Sequence, residues 1–222
     1  LNTGNNGNVT GSPDSITIRE GLTSGKDGLG FPLTNPSSNV LRLNGVNEII
    51  DVSSPESLDD IWHGGGTLEC WLKPEGSTAN MGIMHKAGNG NQGWMFKTDS
   101  YSSGWHMRFI AVFGGTDYQW AKNSQLQSNE WSHWAVTFNS NATEQAIMYK
   151  NGVAITGVTH TDSTGTNVYA SDAGQDLILG SKENDSTKYK GMMDEVKLYN
   201  RALSAPEILK NYKHQKGKHK ND

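Results

Sequence analysis

Apolar and polar positions alternate in short runs along most of this 222-residue chain. Leu68, Cys70 and Leu72 alternate with Thr67, Glu69 and Lys73, with Trp71 on the second face. Trp134, Val136 and Phe138 alternate with His133, Ala135 and Thr137, and Val196 and Leu198 with Glu195 and Lys197. A period of two is the mark of a strand buried on one face. The runs Trp94–Phe96 and Met107–Phe113 are denser and predict strands covered on both sides. Val40–Leu43 leads into an Asn44-Gly45 turn, with Glu48–Val52 as the returning run. Ala146–Tyr149 runs through Lys150 into Asn151-Gly152 and Val153. Asn-Gly between apolar runs predicts a type I′ hairpin, because that turn needs positive φ at both central residues. Strands at this spacing predict an all-β, antiparallel two-sheet sandwich. A single helical turn is expected near the C-terminus. Ser204 and Glu207 have capping-box spacing, Pro206 stands in the first turn, and Ile208, Leu209 and Tyr212 give an apolar side.

Composition divides the chain into three parts. Residues 1–37 form an extended Gly/Asn-rich arm. Its first fifteen residues have little to bury, Ile16–Ile18 reads as a short strand, and Leu22, Leu29, Phe31 and Leu33 stand in a Gly/Pro-punctuated loop. Residues 38–213 carry the strand signals, and 214–222 form a basic tail. Cys70 is the only cysteine, so the fold rests on its core without an internal disulfide. The 26 glycines suit many tight turns, and no apolar run is long enough to span a bilayer. Net charge is −4, although the stretch from Lys210 to Asp222 holds five Lys and one acid. Such a tail is expected to be a solvated end, or an anchor on an acidic partner. Nucleic acid is disfavoured, because few aromatic residues are interleaved with the charges.

Several segments carry a family resemblance in order. They are Val40–Gly45, the run Thr67-Leu68-Glu69-Cys70-Trp71-Leu72-Lys73-Pro74, the run Trp131-Ser132-His133-Trp134-Ala135-Val136-Thr137-Phe138, the hairpin Met148–Val153, and the closing run Gly191-Met192-Met193-Asp194-Glu195-Val196-Lys197-Leu198-Tyr199-Asn200-Arg201-Ala202-Leu203-Ser204. Together they resemble the laminin-G-like, concanavalin-A-like lectin/glucanase jelly-roll family over about residues 39–213. The resemblance implies a jelly-roll sandwich with a short C-terminal helix. In relatives the Asp of the closing strand often binds a structural calcium. The matching position is Asp194, with Asn44, Gly45 or Asn47 as partners; the alternative is that Asp194 accepts hydrogen bonds from backbone amides. The segment Arg19–Leu33 also resembles marine bacteriophage virion proteins.

The chemistry that can be read is that of binding. The family's glycosidases carry an E-x-D-x-x-E strand, which is missing here, and Asp194 and Glu195 are adjacent and should point to opposite faces. There is no G-x-S-x-G elbow, no phosphate-binding loop and no zinc-ligand spacing of histidines. The expectation is therefore no enzyme. Trp71, Trp94, Trp131 and Trp134 fit core positions. Trp62, Tyr101, Trp105, Tyr118 and Trp120 lie in polar, Gly-rich stretches and are the candidate glycan-binding residues. Three Asn-x-Ser/Thr triplets, at Asn8, Asn141 and Asn184, are explained by chance in so Asn-rich a chain. The combined expectation is a surface-displayed binding or structural module, extracellular or on a virion. Its arm would dock on a structural protein partner within an oligomer, and its exposed face would contact glycans. The alternatives are a free lectin-like domain or an accessory domain of a polysaccharide-degrading enzyme.

Overall fold

A computed structural model describes residues 9–12, 15–18 and 40–220, apart from 55, 77–80, 89–91, 102–103, 114–115, 124–125, 140–145, 162–168 and 182–186. Two antiparallel sheets face each other. The first contains β1 (Val9–Ser12), β2 (Ser15–Ile18), β3 (Leu41–Asn44), β5 (Gly66–Pro74), β10 (Ser132–Phe138), β11 (Ala146–Lys150), β12 (Val153–Ala154) and β15 (Lys190–Tyr199). Its order is β1-β2-β15-β5-β10-β11-β12, with β3 also paired to β15. The second contains β4 (Ile50–Asp51), β6 (Gly82–Gly88), β7 (Gln92–Tyr101), β8 (Gly104–Phe113), β9 (Thr116–Asn123), β13 (Thr159–Thr161) and β14 (Ile178–Leu179). Its order is β13-β9-β8-β7-β6-β14-β4. The helix α1 spans Ala205–Gln215.

The alternation explains the core. Leu68, Cys70, Leu72, Trp134, Val136, Phe138, Met148, Val196 and Leu198 point inward from the first sheet. They meet Trp94, Phe96, Met107, Phe109, Ala111 and Trp120 from the second. Trp62 is fully buried, with ring centroids 5.6 Å from Trp94 and 4.8 Å from Phe109. A buried Trp removes about 150–250 Å² from water, so this ring is a main anchor of the sandwich.

The Asn151-Gly152 hairpin forms as expected, with φ of 51° and 79°. The Asn44-Gly45 turn does not return a hairpin. β3 pairs with β15, whereas β4 joins β14, so the chain crosses there from one sheet to the other. Within the arm, β1 and β2 form a hairpin, and β2 pairs with residues 196–199 of β15. Part of the expected docking arm is thus a strand pair of this chain's own sheet. Its Leu22, Leu29, Phe31 and Leu33 lie outside the described residues, as do Asn8, Asn141 and Asn184.

α1 begins where the sequence places it. The Glu207 carboxylate accepts the Ser204 N–H and hydroxyl at 2.8 Å each, and Arg201 pairs with it at 2.8 Å. The Arg201 and Ser204 hydrogen bonds hold its acid group down at about 2. The basic tail departs from a solvated end. His219 is buried and stacks on Trp71 with centroids 4.1 Å apart, and Lys218 pairs with Glu195 at 3.0 Å.

Candidate binding face

The two sheets differ in what covers their outer sides. The outer side of the first sheet presents Glu69 and Trp71 from β5, His133 and Ala135 from β10, and Lys197 and Tyr199 from β15. α1 and the following residues lie over it. Trp71 Nε1 donates to Gln215 Oε1 at 2.7 Å, Asn211 Nδ2 donates to Glu69 Oε2 at 2.8 Å, and Ile208 closes a small apolar cluster with Ala135, Tyr149 and Leu203.

Burial here shifts two acid–base groups in opposite senses. Loss of water raises the Glu69 carboxyl to about 7, against the lowering effects of Asn211, Lys197 and Tyr199. It lowers the His133 imidazole to about 3, assisted by Lys197 and His219. Their closest approach, His133 Nε2 to Glu69 Oε1, is 3.7 Å.

A β-bulge between Asp194 and Lys197, with Glu195 at φ 49°, corrects the expectation that Asp194 and Glu195 face opposite ways. The extra residue breaks the alternation, and both acids turn to the C-terminal segment. Asp194 Oδ2 meets His219 Nε2 at 2.7 Å, and Asp194 Oδ1 accepts the Glu195 N–H at 2.7 Å. Glu195 pairs with Lys197 at 3.1 Å as well as with Lys218.

The calcium set expected at Asp194 and Asn44 does not come together. Asn44 is paired with Lys190, four residues before Asp194 on β15 and therefore roughly 13 Å away along the strand. Asn44 Oδ1 instead accepts the N–H groups of Val46 and Asn47, and Asn44 Nδ2 donates to Asn47. Among the described residues no group of three or more His, Cys, Asp or Glu could hold a metal ion. Asp194 and Asn44 therefore do not share one site.

The outer side of the second sheet has no helix over it among the described residues. Alternation places Met95, Lys97 and Asp99 of β7 on this side, with His106, Arg108 and Ile110 of β8 and Gln119 of β9. The register sets Lys97 opposite Arg108, Asp99 opposite His106, and Ile110 opposite Gln119. The charges close on one another. Arg108 Nε lies 2.7 Å from Asp99 Oδ2, Lys97 Nζ 3.0 Å from Asp99 Oδ1, and Arg108 Nη1 donates to Gln119 Oε1 at 3.0 Å. The side chains of Lys97, Asp99 and Arg108 are only 13%, 7% and 16% exposed, so the array is largely buried. Burial, and then the neighbouring Arg108 charge, lowers the His106 pKa, against a raising effect of Asp99.

Beside the β6 end of this sheet, the fully buried Lys86 ammonium binds Asp59 Oδ1 at 2.7 Å, Asp172 O at 2.6 Å and Asp172 Oδ1 at 3.0 Å. Tyr169 donates to Asp172 Oδ2 at 2.7 Å, and the Asp60 and Asp172 carboxylates each accept the other's N–H. This network ties two loops together and leaves its ammonium engaged.

The aromatic candidates fare differently from expectation. Trp62 is core, because the turn following the 3₁₀ segment Glu56–Leu58 folds its side chain inward. Trp120 is 2% exposed and packs on Phe109, Phe138 and His160, and Tyr118 is 5% exposed beside it. These three are packing residues. Tyr101 and Trp105 stand at the turn end of the β7–β8 hairpin, paired with Gly104 and Ser100, and their side chains lie outside the described residues. The polar array was missed, although Lys97-Thr98-Asp99 and His106-Met107-Arg108 show the same period of two that located the strands.

Two facing antiparallel sheets with a helix over one of them make a jelly-roll sandwich. A family model of the concanavalin A-like lectin/glucanases superfamily matches residues 44–209, and the chain belongs to that family. No curated protein matches the chain. Among solved structures it is similar to the binding domain of Paraclostridial Mosquitocidal Protein 1. The identity is 19% and the TM-score 0.60, over 92% of this chain and 50% of that one. The chain thus spans about half the length of that toxin domain. It is also similar to the CBM40 of a Ruminococcus gnavus IT-sialidase bound to α2,3 sialyllactose, at 14% identity and TM-score 0.57 over 78% and 96% of the two chains. A third similarity is to domain 4 of an extracellular arabinanase from Geobacillus stearothermophilus in complex with arabinotriose. There the identity is 16% and the TM-score 0.51, over 88% and 86%. At these identities the likeness is one of fold. No helix among the described residues is long and apolar enough to cross a membrane.

Proposed function

We propose that this chain is a non-catalytic, surface-displayed module that contacts glycans through the outer face of β7, β8 and β9. The observation that carries the reading is the asymmetry of the sandwich. α1 and His219 cover one outer face, and the Lys97–Asp99–Arg108–Gln119 array lies on the other. Sugar recognition needs planar donors and acceptors held in fixed positions, and paired charges on a rigid sheet supply them. Two structural neighbours, bound to sialyllactose and arabinotriose, support a sugar ligand. A non-catalytic role is supported by the state of the acids. Asp99 is held by two cations, and Asp194 and Glu195 are engaged by the C-terminal segment.

The test is a glycan array followed by calorimetry on the hits. Wild-type protein should bind, and Arg108→Ala and Gln119→Ala should lose the signal while keeping the fold. Binding untouched by both substitutions, or no binding to any glycan, overturns the reading.

The accessory-domain version is favoured over the virion-subunit version by one feature, the hairpin β1–β2 lying on this chain's own β15. Deleting residues 1–37 separates the two. A folded monomer with unchanged glycan binding fits an accessory domain, whereas loss of a native oligomer fits a subunit docked through its arm.

A further inference from the structure

We propose that the Lys86 side chain condenses with the Asp172 carboxyl group to form an intramolecular amide, with Asp59 as the proton carrier. The bond would be a modification of the scaffold, independent of the glycan-binding face. Lys86 on β6 and Asp172 in the connection before β14 are both 0% exposed, although 86 residues separate them. Buried ions carry a desolvation cost that a neutral amide escapes. The carboxyl group is held ready for attack. Its Oδ1 accepts the Asp60 N–H at 2.9 Å and the Lys86 ammonium at 3.0 Å, and its Oδ2 accepts the Tyr169 hydroxyl at 2.7 Å. These contacts fix its plane and draw electron density from Cγ. Burial raises the Asp172 pKa, against the lowering effects of the Asp60 N–H, Tyr169 and Lys86, which favours the neutral acid that the reaction needs. A second carboxylate stands on the same amine, with Asp59 Oδ1 2.7 Å from Lys86 Nζ.

The step balances without a co-reactant. The ammonium gives one proton to Asp172 Oδ1, leaving a neutral amine beside a neutral acid. The Nζ lone pair attacks Cγ and forms the C–N bond, while a second proton moves to Asp59. The charge that develops on Oδ2 is held by the Tyr169 hydroxyl. Asp59 then hands its proton to the Oδ1 hydroxyl, the C–O bond breaks, water leaves and the carbonyl re-forms on Oδ2. The third proton stays on the amide nitrogen. Fixed contact between the two groups supplies the effective concentration that a bimolecular condensation lacks.

The experiment is intact-mass spectrometry on the purified full chain, followed by tryptic mapping. The expected mass is lower than that of the sequence by one water molecule, and the map should hold a branched peptide joining Lys86 to Asp172. Asp59→Asn keeps a polar group against the amine but cannot carry its proton. Followed from cell-free synthesis, this variant should form the link about a hundredfold more slowly than wild type. Lys86→Arg should retain the full sequence mass. Should Asp59→Asn misfold by circular dichroism, the wild-type mass and map decide alone. A folded wild-type chain that stays at its sequence mass through prolonged incubation overturns the proposal. A chain lighter by one water but without the branched peptide carries a succinimide, and overturns it as well. A link that forms equally fast in Asp59→Asn refutes the role given to Asp59.

Discussion

The two outer faces of the sandwich are built from the same grammar and put to different uses. Each places polar and charged side chains on alternate positions of neighbouring strands. On the first sheet these groups are consumed internally. Glu69 meets Asn211, Trp71 meets Gln215 and His219, and Asp194 meets His219. On the second sheet Lys97 and Arg108 pair with Asp99 across the strands, and no helix lies over them among the described residues. A polar sheet face is therefore not in itself a binding surface. What decides is whether another part of the chain supplies its partners.

The largest effect should come from opening the covered face. Trp71→Ala removes a ring that is 2% exposed and stacked on His219 and Tyr212. It should cost about 3–5 kcal/mol in denaturant unfolding and leave glycan affinity unchanged. Next is the pH dependence of the same face. The raised Glu69 pKa gives stability that is full below about 4.5 and lost as pH rises to about 7. The lowered His133 pKa gives stability that is full above about 6.5 and lost as pH falls to about 3. Between about 4.5 and 6.5 the two slopes oppose, because folding in effect moves a proton from His133 to Glu69. Glu69→Gln should therefore leave a stability that rises with pH from about 3 to 6.5. His133→Gln should leave one that falls from about 4.5 to 7. Urea melts across this range test both, and a flat profile in either variant breaks the assignment. Arg108→Gln on the other face should cost about 1–3 kcal/mol in unfolding, because it takes one cation from the largely buried Asp99, and it should lower glycan binding, which Trp71→Ala leaves unchanged. His219→Ala, which removes the partner of Asp194, should cost about 1–2 kcal/mol.

The strands were legible because alternation and Asn-Gly report local backbone needs directly. Trp134, Val136 and Phe138 declared their face, and Asn151-Gly152 declared its turn. Trp62 did not, because its burial depends on a loop folding over the end of the sandwich rather than on a periodic pattern. Asp194 and Glu195 were misread because alternation presumes a regular pleat, and a bulge violates it. The docking of 216–219 was illegible for a different reason. Its contacts are hydrogen bonds, ion pairs and ring stacking by His219, which leave no apolar period in the sequence. The polar array lay between both cases. Its alternation was visible in Lys97, Asp99, His106 and Arg108, but nothing local marked that face as the one with no helix over it among the described residues.

The placement of β15 has a consequence for how the chain is made. This strand, drawn from residues 190–199, is wedged between β5 on one side and β2 and β3 on the other. The first sheet cannot be completed until residue 199 has left the ribosome. The β6–β7–β8–β9 run, joined by successive neighbours, can pair long before. During synthesis the emerging chain therefore holds one early sheet whose inner surface waits for its counterpart. Closure by a late, distant strand is the slow step that topology imposes.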